Sequence, residues 1–184
     1  KDKKNMAITL DTKGDILSSY AKRHLFSYAK EDLYYVAGNV PEVFEVMGMK
    51  VLPSICYDLR FSNMFWDRAK NTDVIFVMAN WPSSRREHWK TLLKARAIEN
   101  QTFVVGVNRI GVSPFLDYSG DSLMFGPFGE EKLNCSNGEG VFIVDISKTG
   151  IDVLSEDKTI LANIKINAGE IPAHLSFLDK KYFH

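Results

Sequence analysis

Two uninterrupted apolar runs, DVIFVMAN (73–80) and TFVVGVNR (102–109), constrain this chain more than any other feature. A strand with one wet face alternates apolar and polar residues, whereas a run without alternation is buried on both faces. Such strands need cover on each side, and the residues between them supply one layer. There Trp89, Leu92, Leu93, Ala97 and Asn100 fall at helical i, i+3, i+4 spacing, with Ser83 or Ser84 placed to cap the helix. Upstream, residues 6–11 and 16–22 read as extended runs around the turn Thr12-Lys13-Gly14-Asp15. Residues 43–47 and 51–56 read as a hairpin turning at Gly48-Met49-Lys50, and residues 60–70 as an amphipathic helix. Past Gly111, residues 117–125 and 140–145 read as strands, with Gly-Pro-Phe-Gly and Asn-Gly turns beside them. From Ser147 the patterning weakens, ending in Phe177, Tyr182 and Phe183. Strands alternating with two helices and then hairpins predict one α/β domain over 1–184 with a mixed sheet.

The charge balance narrows the partners. Lys plus Arg and Asp plus Glu both number 23, so nothing electrostatic draws the chain to nucleic acid or an anionic membrane. No apolar run approaches the roughly 18 residues of a bilayer span, and KDKKNMAITL lacks the apolar core of a signal peptide. Two cysteines, Cys56 and Cys135, make a poor disulfide framework, so a reducing cytoplasm is the expected compartment. His24, His88, His174 and His184 are scattered, without CxxC or HxxxH spacing or a glycine-rich phosphate loop, so neither metal nor cofactor is expected.

Cys56 ends an apolar run and is followed by Tyr57-Asp58-Leu59-Arg60 and a helical stretch. A strand–turn–helix junction exposes a nucleophile close to backbone N–H groups able to hold an oxyanion. A buried structural cysteine fits the same position, since free Cys is among the most buried residue types. The residues by themselves leave both readings open.

Four ordered blocks, SYAKRHLF (19–26), ICYDLRF (55–61), ANWPSSRREHWKTLLKARAIENQTFVVGVNRIG (79–111) and YSGDSLMFGPFGE (118–130), resemble the nitrilase, or carbon–nitrogen hydrolase, superfamily, and most nearly its ω-amidase branch. The resemblance implies an αββα sandwich and a Glu–Lys–Cys triad, with the lysine at Lys22, the cysteine at Cys56 and a supporting glutamate at Glu31. Lys22 and the Tyr57 N–H would then hold the oxyanion. The triad's first glutamate lies upstream of the lysine in that family, but residues 1–21 contain no glutamate and match a later part of the pattern. The chain is therefore expected to lack the N-terminal elements, with the missing piece present elsewhere in the native protein.

The same resemblance implies hydrolysis of a small ω-amide of a dicarboxylic keto acid, such as 2-oxoglutaramate, through a cysteine thioester. Trp81 is the candidate wall of the substrate site, and Arg85 and Arg86 are candidates for its carboxylate. Arg60, Arg96, Glu99 and Asp121 are expected in buried ion pairs, because charges in apolar surroundings need partners. The helical stretches 56–70 and 85–100 are expected to pair with a second copy, giving a dimer or higher homo-oligomer. Cys135, in what reads as a hairpin tip, takes no role. The alternatives are another branch of the superfamily, acting on a nitrile or carbamoyl group, and an inactive binding or oligomerisation subunit.

Overall fold

The computed structural model describes residues 3–136 and 138–146. Among these residues nine strands occur: β1 Met6–Leu10, β2 Ile16–Ala21, β3 Phe44–Val46, β4 Met49–Ile55, β5 Val74–Ala79, β6 Phe103–Asn108, β7 Ile110–Val112, β8 Asp117–Phe125 and β9 Glu131–Ser136. Two α-helices, α1 Asn63–Ala69 and α2 Arg86–Asn100, accompany four short single-turn helices. The two continuous apolar runs are β5 and β6, parallel neighbours joined through α2.

Seven strands form one mixed sheet in the order β3-β4-β5-β6-β8-β7, with β9 on β8. Strands β4, β5 and β6 run parallel, and β8 returns antiparallel to β6. The period-2 rule divides the core between the two faces. Leu52, Ile75, Val77, Val104 and Leu123 meet Trp89, Leu93, Ala97 and Phe65 on the helical face. Met49, Val51, Val74, Phe103, Val105 and Met124 form a second cluster, which Val144 and Ile146 join. Pro53 sits in β4 beyond the end of β3, where its missing N–H leaves no neighbouring strand short of a donor.

The hairpin β1–β2 is a separate two-stranded sheet. It reaches the main sheet through a small cluster in which Ala7 and Tyr20 pack on Ile55, with Cys56 and Met78 beside them. The described part of the chain thus holds two sheets and one helical layer.

Several boundaries differ from the sequence reading. The β3–β4 hairpin turns at Met47-Gly48, both at positive φ (51° and 77°), since Val46 pairs directly with Met49. That is a two-residue turn of the primed kind, tighter than the expected three residues. Neither Ser83 nor Ser84 caps α2; they lie in the single-turn helix Ser83–Arg85, where the Arg85 N–H bonds the Pro82 carbonyl instead. The stretch 60–70 is divided into a turn over Cys56–Arg60 and the shorter α1. Residues 140–145 contain no strand; Val144 packs on the sheet without joining its ladder. The strand after the Gly-Pro-Phe-Gly turn is β9, so Cys135 lies buried in a strand and not at a hairpin tip. Phe177, Tyr182 and Phe183 lie outside the described residues.

Candidate active site

The carboxyl ends of β4, β5 and β6 lie side by side and carry Cys56, Asn80 and Asn108. In open α/β sheets this edge is where ligands bind, because the chain leaves each strand in a different direction and opens a crevice. Cys56 takes φ +47°, the left-handed region, at the moment β4 turns into the single-turn helix Cys56–Arg60. For a residue with a Cβ this conformation costs about 1 kcal/mol or more and needs holding. Asp58, fully buried, supplies the hold: its Oδ2 accepts from the Ile55 N–H at 3.1 Å, closing the turn around Cys56.

Asp58 also anchors the segment that carries the lysine. Its Oδ2 accepts from the Tyr20 hydroxyl at 2.7 Å and its Oδ1 from the His24 N–H at 2.9 Å. The His24 Nδ1 lies 3.0 Å from the same Oδ1 and donates in the tautomer protonated there. The His24 ring stacks on Phe61 at 3.8 Å. One carboxylate thus fixes the end of β2, residues 23–24 and the Cys56 turn relative to one another.

Lys22 follows β2 and is only 3% exposed. A buried ammonium needs an anionic partner, and Glu31 provides it with Oε2 at 2.6 Å from Nζ. Glu31 is itself positioned: Asn5 Nδ2 donates to Oε1 at 2.9 Å and the Phe26 N–H to Oε2 at 2.7 Å. The Lys22 backbone is clasped from both sides, its N–H on the Asn5 carbonyl and its carbonyl on the Gly38 N–H. That approach requires glycine, since a Cβ at residue 38 would lie 2.2 Å from the Ala21 carbonyl oxygen.

Around the thiol the electrostatics oppose one another. Burial pushes the Cys56 pKa up, and Glu31 and Asp58 push the same way; Lys22 and a contact at 3.9 Å with the Asn80 carbonyl pull it back without reversing the shift. The balance of these effects disfavours the thiolate relative to a free thiol. Tyr57, next in sequence, packs its ring on Phe26 (4.8 Å) and Phe61 (5.2 Å).

The loop after β5 forms the next wall of the crevice. Asn108 is buried and holds both backbone groups of Trp81, its Oδ1 accepting the N–H at 2.7 Å and its Nδ2 reaching the carbonyl at 3.0 Å. The Trp81 indole does not line an open site: it is 4% exposed, packs on Trp89 at 5.5 Å and donates Nε1 to the Arg85 carbonyl. An aromatic this large is worth more to the core than to the rim. Arg86 is also committed elsewhere, bonding Asp121 at 2.7 Å. Arg85 instead lays its guanidinium over the Phe26 and Tyr28 rings, at 5.5 and 5.7 Å.

Of the expected ion pairs, Arg96–Glu99 forms at 2.6 Å, and Asp121 pairs with Arg86 and Lys90. Among the described residues Arg60 makes no ion pair, facing Trp81 at 4.9 Å and His88 at 3.1 Å. Asp58, Tyr20, Asn108 and Asn5 are the positioning residues that sequence reasoning missed. Asp58 carried a signal, since it lies two residues after the candidate nucleophile in a run with no exposed-loop character. Among the described residues no three His, Cys, Asp or Glu gather to hold a metal ion, and no helix is long and apolar enough to cross a membrane.

Comparison with known proteins places the chain in a family. The sequence profile of the carbon-nitrogen hydrolase family matches residues 2–154. Over 145 residues the chain is 40% identical to a 2-oxoglutaramate amidase of Bacillus subtilis (strain 168), covering 77% of this chain and 55% of that one. Over 119 residues it is 47% identical to omega-amidase YafV of Escherichia coli (strain K12), covering 64% of this chain and 46% of the other. A CN-hydrolase superfamily protein from Xanthomonas campestris, solved with an arsenic adduct in its active site, matches with TM-score 0.65 and 39% identity over 70% of this chain and 51% of its own. An amidase from Nesterenkonia sp. matches with TM-score 0.68 and 27% identity, over 73% and 52%. The chain spans about half the length of these relatives. Its α/β fold, a mixed sheet with helices, is theirs over the shared part, and the chain belongs to the carbon-nitrogen hydrolase family.

Proposed function

We propose that this chain carries the nucleophile and its cation for thiol-dependent hydrolysis of the terminal amide of a small dicarboxylic keto acid, of the 2-oxoglutaramate kind. The observation that carries the reading is Cys56 held at φ +47° on the carboxyl edge of the parallel strands, with the buried Lys22–Glu31 pair acting on its charge. The names of the relatives from Bacillus and Escherichia supply the substrate class. In a point mutant of an amidase from Nesterenkonia sp. AN1 similar to this chain, acrylamide adds to the active-site cysteine, which supports a reactive thiol in this reading.

In this mechanism the Cys56 proton is taken by a general base and Sγ bonds to the amide carbonyl carbon. The carbonyl electron pair moves to oxygen, where the Lys22 ammonium and the Tyr57 N–H hold the oxyanion. Collapse of the tetrahedral intermediate breaks the C–N bond, and the nitrogen leaves as ammonia carrying the proton. Water then attacks the thioester, releasing the carboxylic acid and restoring the thiol. Glu31 is a positioning residue that keeps the ammonium aimed. A base is needed because burial disfavours the thiolate. The family pattern puts that base in a glutamate upstream of the lysine, and this reading assigns the role to none of the described residues. The reading also places a second copy on the helical face, where Trp66 and Ile98 are exposed, and the chain in the cytoplasm, where free Cys56 and Cys135 stay reduced.

Ammonia release from 2-oxoglutaramate, with Cys56→Ala as control, tests the proposal. Turnover that disappears in C56A is the expected result; turnover that survives C56A overturns it. The competing reading is a subunit that binds without catalysing. That reading is left standing by absence of turnover together with a Cys56 no more reactive toward iodoacetamide than Cys135.

A further inference from the structure

The cations on this edge of the molecule are not equivalent. Lys22 is bound to Glu31 and Arg86 to Asp121, and Arg60 gives one nitrogen to His88 and its face to Trp81. Arg85 differs. Among the described residues it has no carboxylate partner; the residue is half-buried, and its guanidinium lies over two aromatic rings, Phe26 at 5.5 Å and Tyr28 at 5.7 Å. Ring faces hold the cation in place while leaving its in-plane N–H donors unspent, the arrangement suited to a planar, bidentate anion such as a carboxylate.

Its position is fixed from below as well. Buried Asn108 clamps the Trp81 backbone, and the Trp81 indole in turn donates to the Arg85 carbonyl. The platform connects to the nucleophile by contact: Phe26 packs on Tyr57, the residue after Cys56, and the Phe26 N–H donates to the Glu31 that holds Lys22. A guanidinium so prepared loses little side-chain entropy when it meets an anion.

We propose that Arg85, seated on Phe26 and Tyr28, is the specificity-determining residue that takes the far carboxylate of the substrate, so that this site selects anionic over neutral amides. The inference rests on Cys56 being the reactive thiol of the preceding section. A neutral amide of the same length leaves the Arg85 donors unanswered, which is how a built polar site rejects a ligand lacking the matching group.

Capture of the thiol tests this without requiring turnover. Iodoacetate and iodoacetamide react by the same displacement, Cys56 sulfur forming the S–C bond as iodide leaves, but only iodoacetate carries the anion. Labelling is followed on the Cys56 peptide of the native protein by mass. Arg85→Gln is expected to slow iodoacetate about tenfold, the size of one charge-assisted hydrogen bond, while iodoacetamide changes less than about twofold. Arg85→Lys keeps the charge but not the planar fork, and is expected to recover only part of the selectivity. An equal fall for both reagents would assign Arg85 to folding of the loop and overturn the proposal. No change for either overturns it too, as does a Cys56 that neither reagent reaches. If the chain turns over amides, Arg85→Gln is expected to raise KM for 2-oxoglutaramate about tenfold at nearly constant kcat, with butyramide unaffected. Loss of ammonia release alone counts against the proposed function and leaves the labelling ratio to decide on Arg85.

Discussion

Asp58 has no exposed surface and takes bonds from Tyr20, Ile55 and His24. Removing such an acceptor leaves several buried donors unanswered, each at a cost of about 1–3 kcal/mol. Asp58→Ala is therefore expected to destabilise the fold by about 3–5 kcal/mol, measured by denaturant unfolding, and to lose Cys56 alkylation selectivity in step. The thiol itself gives a pH signature. Its folded pKa is raised by burial first and by Glu31 and Asp58 next, so the rate of alkylation should climb with a midpoint above the ordinary thiol value. Lys22→Met removes the opposing pull and moves that midpoint further up. The linked stability has a definite sign: the raised pKa contributes fully below the unfolded thiol value, and the contribution is lost as pH rises through the folded value. Cys56, Lys22 and Glu31 could be proposed as a set only through the family resemblance, because no spacing rule links positions 22, 31 and 56. Tyr20 and Asp58 are 38 positions apart and meet only once the two sheets have packed.

Secondary-structure elements divide by how their cover is arranged. Strands β5 and β6 and helix α2 were readable because burial on both faces forces a continuous apolar run, and one-sided burial forces a helical stripe. Strand β9 was missed because it packs only Leu133 and Cys135 inward among Glu131, Lys132, Asn134 and Ser136. Strand β7 escaped notice for another reason. Its pairing with β8 continues the register of β6 unchanged past Arg109, so it is the far end of one long bent strand and too short to signal alone. The loop between β2 and β3 shows the same dependence on neighbours. Gly38 approaches Ala21 so closely that Gly38→Ala must push the loop away from the end of β2. We expect a loss of about 1–3 kcal/mol, the usual range for overpacking, and a fall in kcat larger than the fall in stability predicts, because Lys22 bonds the residue 38 N–H directly. Thermal unfolding and initial rates on the same samples separate the two effects.

Across the molecule, Lys22 and Cys56 belong to different hydrogen-bonded ladders, the first following β2 and the second ending β4. Among the described residues these ladders are joined at the site through side chains: the Ala7–Tyr20–Ile55 cluster, the bonds to the Asp58 carboxylate, and the His24–Phe61 and Phe26–Tyr57 ring contacts. Met6, Ile8, Leu10, Ile16 and Leu17 of the hairpin remain exposed, so it has the smaller share of apolar burial. Amide hydrogen exchange should accordingly protect β4, β5 and β6 more strongly than β1 and β2, and uniform protection would count against that ordering. The seam also sets what kind of damage the site can survive. Backbone ladders persist when side-chain packing loosens, so a mild denaturant should silence Cys56 selectivity while far-ultraviolet dichroism is still native. The attack proposed for Cys56 depends on the fit between two sheets, and a protein in which each sheet was individually intact but mutually adrift would keep its secondary structure and lose that chemistry.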